Sequence, residues 1–139
     1  MRTSILLIAA SALALVSCAS TGEMARLTGE KATFHYADYA GMPVEGFQAY
    51  RINGWTPVSR TQLVVWTGVN DAYLIKVWNT CQDLQFADHV GVTSTVNRVT
   101  TFEKVRVGRD TCPISEIRPV DIKRMRADRK AAAEAAKAG

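Results

Sequence analysis

Hydrophobic and polar positions divide the chain into four stretches, each predicting a different structure. Residues 5–16 are an apolar run interrupted only by Ser11, and residues 19–31 are polar and rich in small residues. Residues 47–118 alternate short apolar runs with turn-forming residues, and residues 122–138 are mostly Ala, Lys, Arg and Glu. In the third stretch the clearest signal is Gln62-Leu63-Val64-Val65-Trp66-Thr67, then Gly68-Val69-Asn70-Asp71, then Ala72-Tyr73-Leu74-Ile75-Lys76-Val77-Trp78. At period two, Leu63 and Val65 share one face while Val64 and Trp66 share the other. Both faces are apolar, which predicts a hairpin covered on two sides or curled into a barrel.

The surrounding segments extend the sheet. Asn53-Gly54 between residues 47–52 and Trp55-Thr56-Pro57-Val58 predicts a second hairpin. Pro57 lacks an N–H, so its run belongs at an edge. Strands are also expected at residues 90–94, 98–107 and 112–117, with turns at Val96-Asn97 and Gly108-Arg109-Asp110. The expected fold is mainly β, a small antiparallel sheet or half-closed barrel, followed by a basic C-terminal helix. That helix is expected to start at Pro119-Val120-Asp121, dock through Ile122 and Met125, and leave the rest in solvent.

The apolar run at the start is an address, not a span. Arg2 provides a positive start, the run is about 12 residues long, and small residues follow, as in a secretory signal. A spanning helix needs about 20 apolar residues. Leu15-Val16-Ser17-Cys18 resembles the lipobox of bacterial lipoproteins, which implies cleavage before Cys18 and acyl chains on that cysteine. Several chains anchor stably where one is marginal, because each buried methylene adds about 0.8 kcal/mol. Ala19 stands where retention signals often carry Asp, pointing to the outer membrane and a periplasm-facing domain. The expected organisation is a signal peptide at 1–17, a lipidated cysteine and flexible tether at 18–31, a β domain at 32–118, and a helical tail at 119–139.

Charge and cysteines fit the same envelope location. The net charge of +4 is concentrated late in the chain. Residues 18–118 balance ten basic against ten acidic side chains, whereas Lys123, Arg124, Arg126, Arg129, Lys130 and Lys137 face only Asp121, Asp128 and Glu134. The alkaline pI therefore belongs to a tail and gives no nucleic-acid-binding face. With Cys18 acylated, Cys81 and Cys112 remain as an even pair in an oxidising space and are expected to be bridged.

Candidate chemistry is sparse. His35 with Asp38, and Asp88 with His89, fall short of the ligand count of any common metal site, so neither metal nor cofactor is expected. A thiol enzyme would need Cys81 with His89 as base, and a small hydrolase would need the hydroxyls of Thr93 and Thr95. Neither has a partnered base or a nucleophile elbow around it. Trp55, Trp66 and Trp78, with Tyr50 and Tyr73, would fill the core or form an aromatic wall for glycan, lipid or a hydrophobic peptide. The basic tail is a solvated helix or a contact for anionic headgroups or cell-wall polymer.

Several segments fall in a familiar order: Arg51-Ile52-Asn53-Gly54-Trp55, Trp66-Thr67-Gly68-Val69-Asn70-Asp71-Ala72-Tyr73-Leu74, Cys81, Gly91-Val92-Thr93-Ser94-Thr95, Phe102-Glu103-Lys104-Val105 and Cys112-Pro113-Ile114. Residues 47–121 thereby resemble a family of small proteobacterial envelope proteins classed only as a domain of unknown function. The resemblance supports the Cys81–Cys112 pair and transfers no functional residue. The functional expectation is a non-enzymatic envelope lipoprotein that is held on a membrane by Cys18 and binds an envelope protein or cell-wall polymer.

Overall fold

A computed structural model describes residues 34–78 and 81–139; the leader, Cys18 and the tether lie outside the described residues. Eight strands and one helix follow in order. They are β1 (Gly46–Gln48), β2 (Gly54–Ser59), β3 (Gln62–Trp66), β4 (Asp71–Val77), β5 (Val90–Val92), β6 (Arg98–Thr100), β7 (Lys104–Val107), β8 (Asp110–Asp121) and α1 (Ile122–Lys137). Six strands form a curled antiparallel half-barrel in the order β2-β3-β4-β8-β7-β5, and β1 pairs with β6 in a separate two-stranded ribbon. The mainly-β expectation with a C-terminal helix holds.

The β3–β4 hairpin forms as its pattern predicts, with Leu63 opposite Ile75, Val65 opposite Tyr73 and Trp66 opposite Ala72. Alternation then sorts the side chains into two cores. On one face Leu63, Val65, Ile75, Val77, Val105, Val107, Ile114 and Ile117 meet Phe47, Ala49 and Val99 of the β1–β6 ribbon. Phe47 stacks flat on Tyr73 at 4.0 Å between ring centres. On the other face Val64, Ala72, Leu74 and Val120 meet Ile122 and Met125 of α1, with Phe34, Tyr36, Tyr39 and Trp66 packed around them. The β3–β4 hairpin and the end of β8 are thus covered on both sides, which explains why β3 and β4 carry two apolar faces, whereas β7 alternates buried and exposed.

Strand β8 is the spine of the fold. Its first part pairs with β7 and its second with β4. It carries two prolines, which a central strand ordinarily excludes. Within a ladder a residue's N–H and C=O point to the same side. Pro113 accepts from Trp78 N and Pro119 from Gly41 N. The missing N–H of Pro113 therefore falls on the Trp78 side, past the register shift between β4 and β8. That of Pro119 falls on the side where residues 40–44 cover the strand, away from the β4 ladder.

Three local expectations are corrected. Asn53-Gly54 makes no hairpin turn: β1 stops at Gln48 and pairs with β6, placing Phe47 opposite Val99. Gly46 permits that pairing, since a Cβ there would sit 2.4 Å from the Val99 carbonyl oxygen. The tight turn with two positive φ angles lies instead at Val96 (50°) and Asn97 (57°), closed by Thr95 and Arg98 exchanging both backbone bonds. Secondly, residues 98–107 are two strands in different sheets. Glu103 N donates to the Thr100 carbonyl and Phe102 N to Thr100 Oγ1, breaking the run and leaving Phe102 exposed. Thirdly, Pro119 and Val120 belong to β8 rather than to the helix.

Asp121 is the N-cap of α1, its carboxylate accepting from Arg124 N at 3.0 Å. Only Ile122 and Met125 of the helix are buried. Polar contacts hold its first half as far as Arg129: Tyr39 Oη donates to Asp128 at 2.9 Å, Arg126 donates to Asn70 at 2.7 Å, and Arg124 and Arg129 lie over the rings of Tyr39 and Phe34. Such cation–π contacts contribute about 0.5–1 kcal/mol each at exposed sites. Lys123, Lys130 and Lys137 recur every seventh residue on the solvent side. Among the described residues no helix is long and apolar enough to cross a membrane.

Candidate functional site

The chemistry-bearing residues do not gather at one place. Cys81 and Cys112 are joined in a disulfide with Cα atoms 6.3 Å apart, both buried in the first core. The thiol that a cysteine enzyme would use is therefore a structural bond, and His89 stands exposed in the loop before β5. His35 is likewise exposed, next to the short helical turn Tyr36–Tyr39. Among the described residues no group of three or more His, Cys, Asp or Glu side chains is placed to hold a metal.

Thr93 and Thr95 are brought together, with a structural consequence. Both hydroxyls donate to the Glu103 carboxylate, Thr95 at 2.7 Å, and Thr93 Oγ1 also accepts from Lys104 N at 2.9 Å. The carboxylate thus clasps the β5–β6 loop to the start of β7. The Thr93 hydroxyl, then that of Thr95, hold the Glu103 pKa below the usual carboxylate range, against a smaller opposing effect of burial. A depressed folded-state pKa contributes stability that is fully present above the unfolded value of about 4.3 and lost as pH falls through the folded one. The melting-temperature gap between wild type and Glu103→Gln is therefore expected to shrink steadily as pH falls from 6 to 3. A gap independent of pH would contradict that linkage.

The three tryptophans and Tyr73 are divided between faces. Trp66 lies on the helix side, edge-on to Tyr36 with ring centres 6.3 Å apart, and its Nε1 donates to Thr56 Oγ1 at 3.1 Å. Trp55 sits opposite Val65 and so shares the other face with Tyr73, which is stacked under Phe47. Trp78, 73% exposed, stands at the far end of β4. These residues form no common wall. Trp66 is a half-buried support of the helix-side core, Tyr73 packs against the other core, Trp55 is half-buried on β2, and Trp78 is an isolated surface side chain.

A different constellation forms where the β1–β2 connection passes the β3–β4 turn. Gln48, Tyr50, Arg51, Asn53 and Thr67 line an open depression of about 490 Å³. Asn53 is fixed three ways: its N–H donates to the Trp66 carbonyl at 2.7 Å, its Nδ2 to the Thr67 carbonyl at 3.2 Å, and its Oδ1 accepts from Arg51 Nε at 3.1 Å. This explains why Asn53 stands in a sequence that reads as a turn. It bolts the connection to the end of β3 and aims the guanidinium. Tyr50 beside it is 82% exposed. A second depression of about 360 Å³ lies between residues 38–41 and the start of α1. Asp121 there is engaged in the helix cap, Tyr39 with Asp128, and Arg124 lies over the Tyr39 ring.

Tyr50 is one of the aromatic candidates of the sequence, but Gln48 and Arg51 escaped it because they are sequence-local to β1 while Thr67 lies beyond β3. The available signal was Arg51-Ile52-Asn53 itself, a planar cation two residues from a planar amide.

The model of a family of unknown function (DUF6491) matches residues 1–136 of the chain. The chain belongs to this family. The match is wider than the 47–121 span carried by the resembling segments, and takes in residues 1–46 and most of α1. Two of those segments, 51–55 and 66–74, supply Arg51, Asn53 and Thr67 of the depression. No curated protein and no solved structure matches the chain. Membership of DUF6491 assigns a fold-bearing unit and no activity.

Proposed function

We propose that this DUF6491 protein is an envelope lipoprotein, anchored through lipid on Cys18, whose domain is a non-enzymatic binding module facing the periplasm. The observation that carries the binding role is the Arg51–Asn53 arrangement. A surface arginine ordinarily keeps its rotamer freedom, worth about 2 kcal/mol; here its Nε donates to Asn53 Oδ1, and Asn53 is itself tied to the end of β3 by its main-chain N–H to the Trp66 carbonyl and its Nδ2 to the Thr67 carbonyl. Preorganised polar groups on rigid elements are what recognition requires. The two enzymatic alternatives are weakened by positive findings, since Cys81 is bonded to Cys112 and both threonine hydroxyls are committed to Glu103.

The anchor is supported by the leader and by Leu15-Val16-Ser17-Cys18. Ala19 favours the outer membrane over the inner. Metabolic labelling with a fatty-acid analogue, followed by membrane fractionation, tests it. Wild type is expected to carry label and sediment with membranes, whereas Cys18→Ala should be unlabelled and leave the membrane fraction. An unlabelled wild type would overturn the anchor. The binding role is tested by capturing envelope extract, including solubilised cell-wall polymer, on the acylated full chain. Retention of nothing specific across several solubilisation conditions would overturn it.

A further inference from the structure

The depression at the β1–β2 connection has a composition that selects among ligands. It offers one guanidinium, one uncommitted side-chain amide (Gln48), one hydroxyl (Thr67) and one exposed phenol ring (Tyr50), with no carboxylate among its lining residues. Among the described residues Arg51 is bonded only through Nε, to Asn53. Its two Nη groups remain as a planar fork, the geometry that matches a carboxylate. Asn53 spends its amide on the scaffold. Gln48, exposed at the end of β1, can both donate and accept. The Tyr50 ring presents a flat apolar face next to these polar groups, and a tyrosine supplies such contact area at low entropic cost.

We propose that the depression binds a carboxylate-bearing saccharide. The carboxylate lies on the Arg51 fork, the C–H face of the sugar on the Tyr50 ring, and the sugar hydroxyls against Gln48 and Thr67. A shallow, open, hydroxyl- and amide-lined surface suits a ligand dense in hydroxyl groups. A peptide would draw on an apolar pocket for a side chain, and this lining has none. The single fixed cation makes the site selective for acidic over neutral sugars, because the neutral analogue leaves the fork without its partner. This proposal rests on the reading of the domain as an envelope binding module and names the ligand class of its site.

The test is calorimetric titration of the full acylated chain in detergent with four probes. These are a disaccharide containing a uronic acid, one containing muramic acid, neutral chitobiose, and a short acetylated peptide with a free C-terminal carboxylate. At least one acidic disaccharide is expected to bind about tenfold more tightly than chitobiose. The uronic and muramic arms report whether the carboxylate is wanted on the ring or on an ether substituent. Arg51→Lys keeps the charge and loses the fork, and should weaken the acidic sugar about tenfold while leaving chitobiose unchanged. Tyr50→Ala should weaken both sugars about fivefold and Tyr50→Phe neither. Equal affinity for acidic and neutral sugars, a peptide that outcompetes both, or an Arg51→Gln variant with wild-type affinity would overturn the proposal. If wild type and Arg51→Gln capture the same envelope component, this assignment fails and the binding module stands. If wild type captures nothing, both fail.

Discussion

Replacing Cys81 and Cys112 together by alanine is expected to lower unfolding stability by roughly 3.5–4 kcal/mol in the chain-entropy model. The bond closes a sequence separation of 31 residues and so removes a large part of the unfolded chain's freedom. It also ties the loop after β4 to the first pairs of β8, where Cys112 lies opposite Val105. Small domains hold only about 5–15 kcal/mol in total, so the loss would be a large share. Urea unfolding with and without reductant, beside the double variant, measures it. Reductant should shift wild type to the position of the variant and leave the variant unmoved. A shift below about 1 kcal/mol would mean that the two cores hold the loop without the bond. The same experiment bears on the thiol-enzyme alternative, since a thiol rapidly alkylated without reductant would restore Cys81 as a reactive group.

What could be read locally from the sequence was what local physics determines. The β3–β4 hairpin follows from alternation on two strands and a four-residue turn between them. The β7–β8 turn follows from Gly108, whose φ is 56°. The helix start needed only Asp121 and the absence of breakers after it. Errors came where a partner lies far along the chain. Phe47 pairs with Val99 across half the domain, so Asn53-Gly54 was read as the turn of a hairpin that β1 does not make. The turn expected at Val96-Asn97 does form, although Val96, β-branched and 88% exposed, takes a left-handed position where Gly or Asn would ordinarily stand. The two prolines of β8 concealed a twelve-residue strand, because whether proline is tolerated depends on which edge its nitrogen faces.

The candidate site was harder to read for the same reason. Tryptophans attract attention in a sequence because they are large, and their size is why two of them are drawn into packing. The depression is lined by residues of ordinary appearance that become distinctive only when the end of β3 is brought against the β1–β2 connection. Asn53 illustrates this. Read along the chain it is a turn residue; bonded to Trp66 and Thr67 it positions an arginine.

Ile75→Ala is expected to cost about 3–4 kcal/mol, the second large effect, and it probes whether the sheet's two cores act as one. Ile75 lies opposite Leu63 on one side and Ile117 on the other, and all three are fully buried. Neighbours on both sides are held by backbone ladders, so the site has little room to collapse around the missing atoms. Leu74→Ala removes a similar volume from the other face, where its neighbours are Val64 and the helix residues Ile122 and Met125. Helix α1 can settle toward the sheet, so about 2–3 kcal/mol is expected there. Hydrogen exchange separates the two. Leu74→Ala should speed exchange chiefly in α1, while Ile75→Ala should speed it in β1 and β6, whose Phe47 and Val99 close over that core. If both substitutions accelerate the same amides equally, the faces are coupled and the half-barrel with its helix unfolds as one unit. If they separate, the β1–β6 ribbon, and with it the start of the connection carrying Tyr50 and Arg51, opens independently of the helix. Affinity at the depression would then fall in Ile75→Ala under conditions where Leu74→Ala still binds.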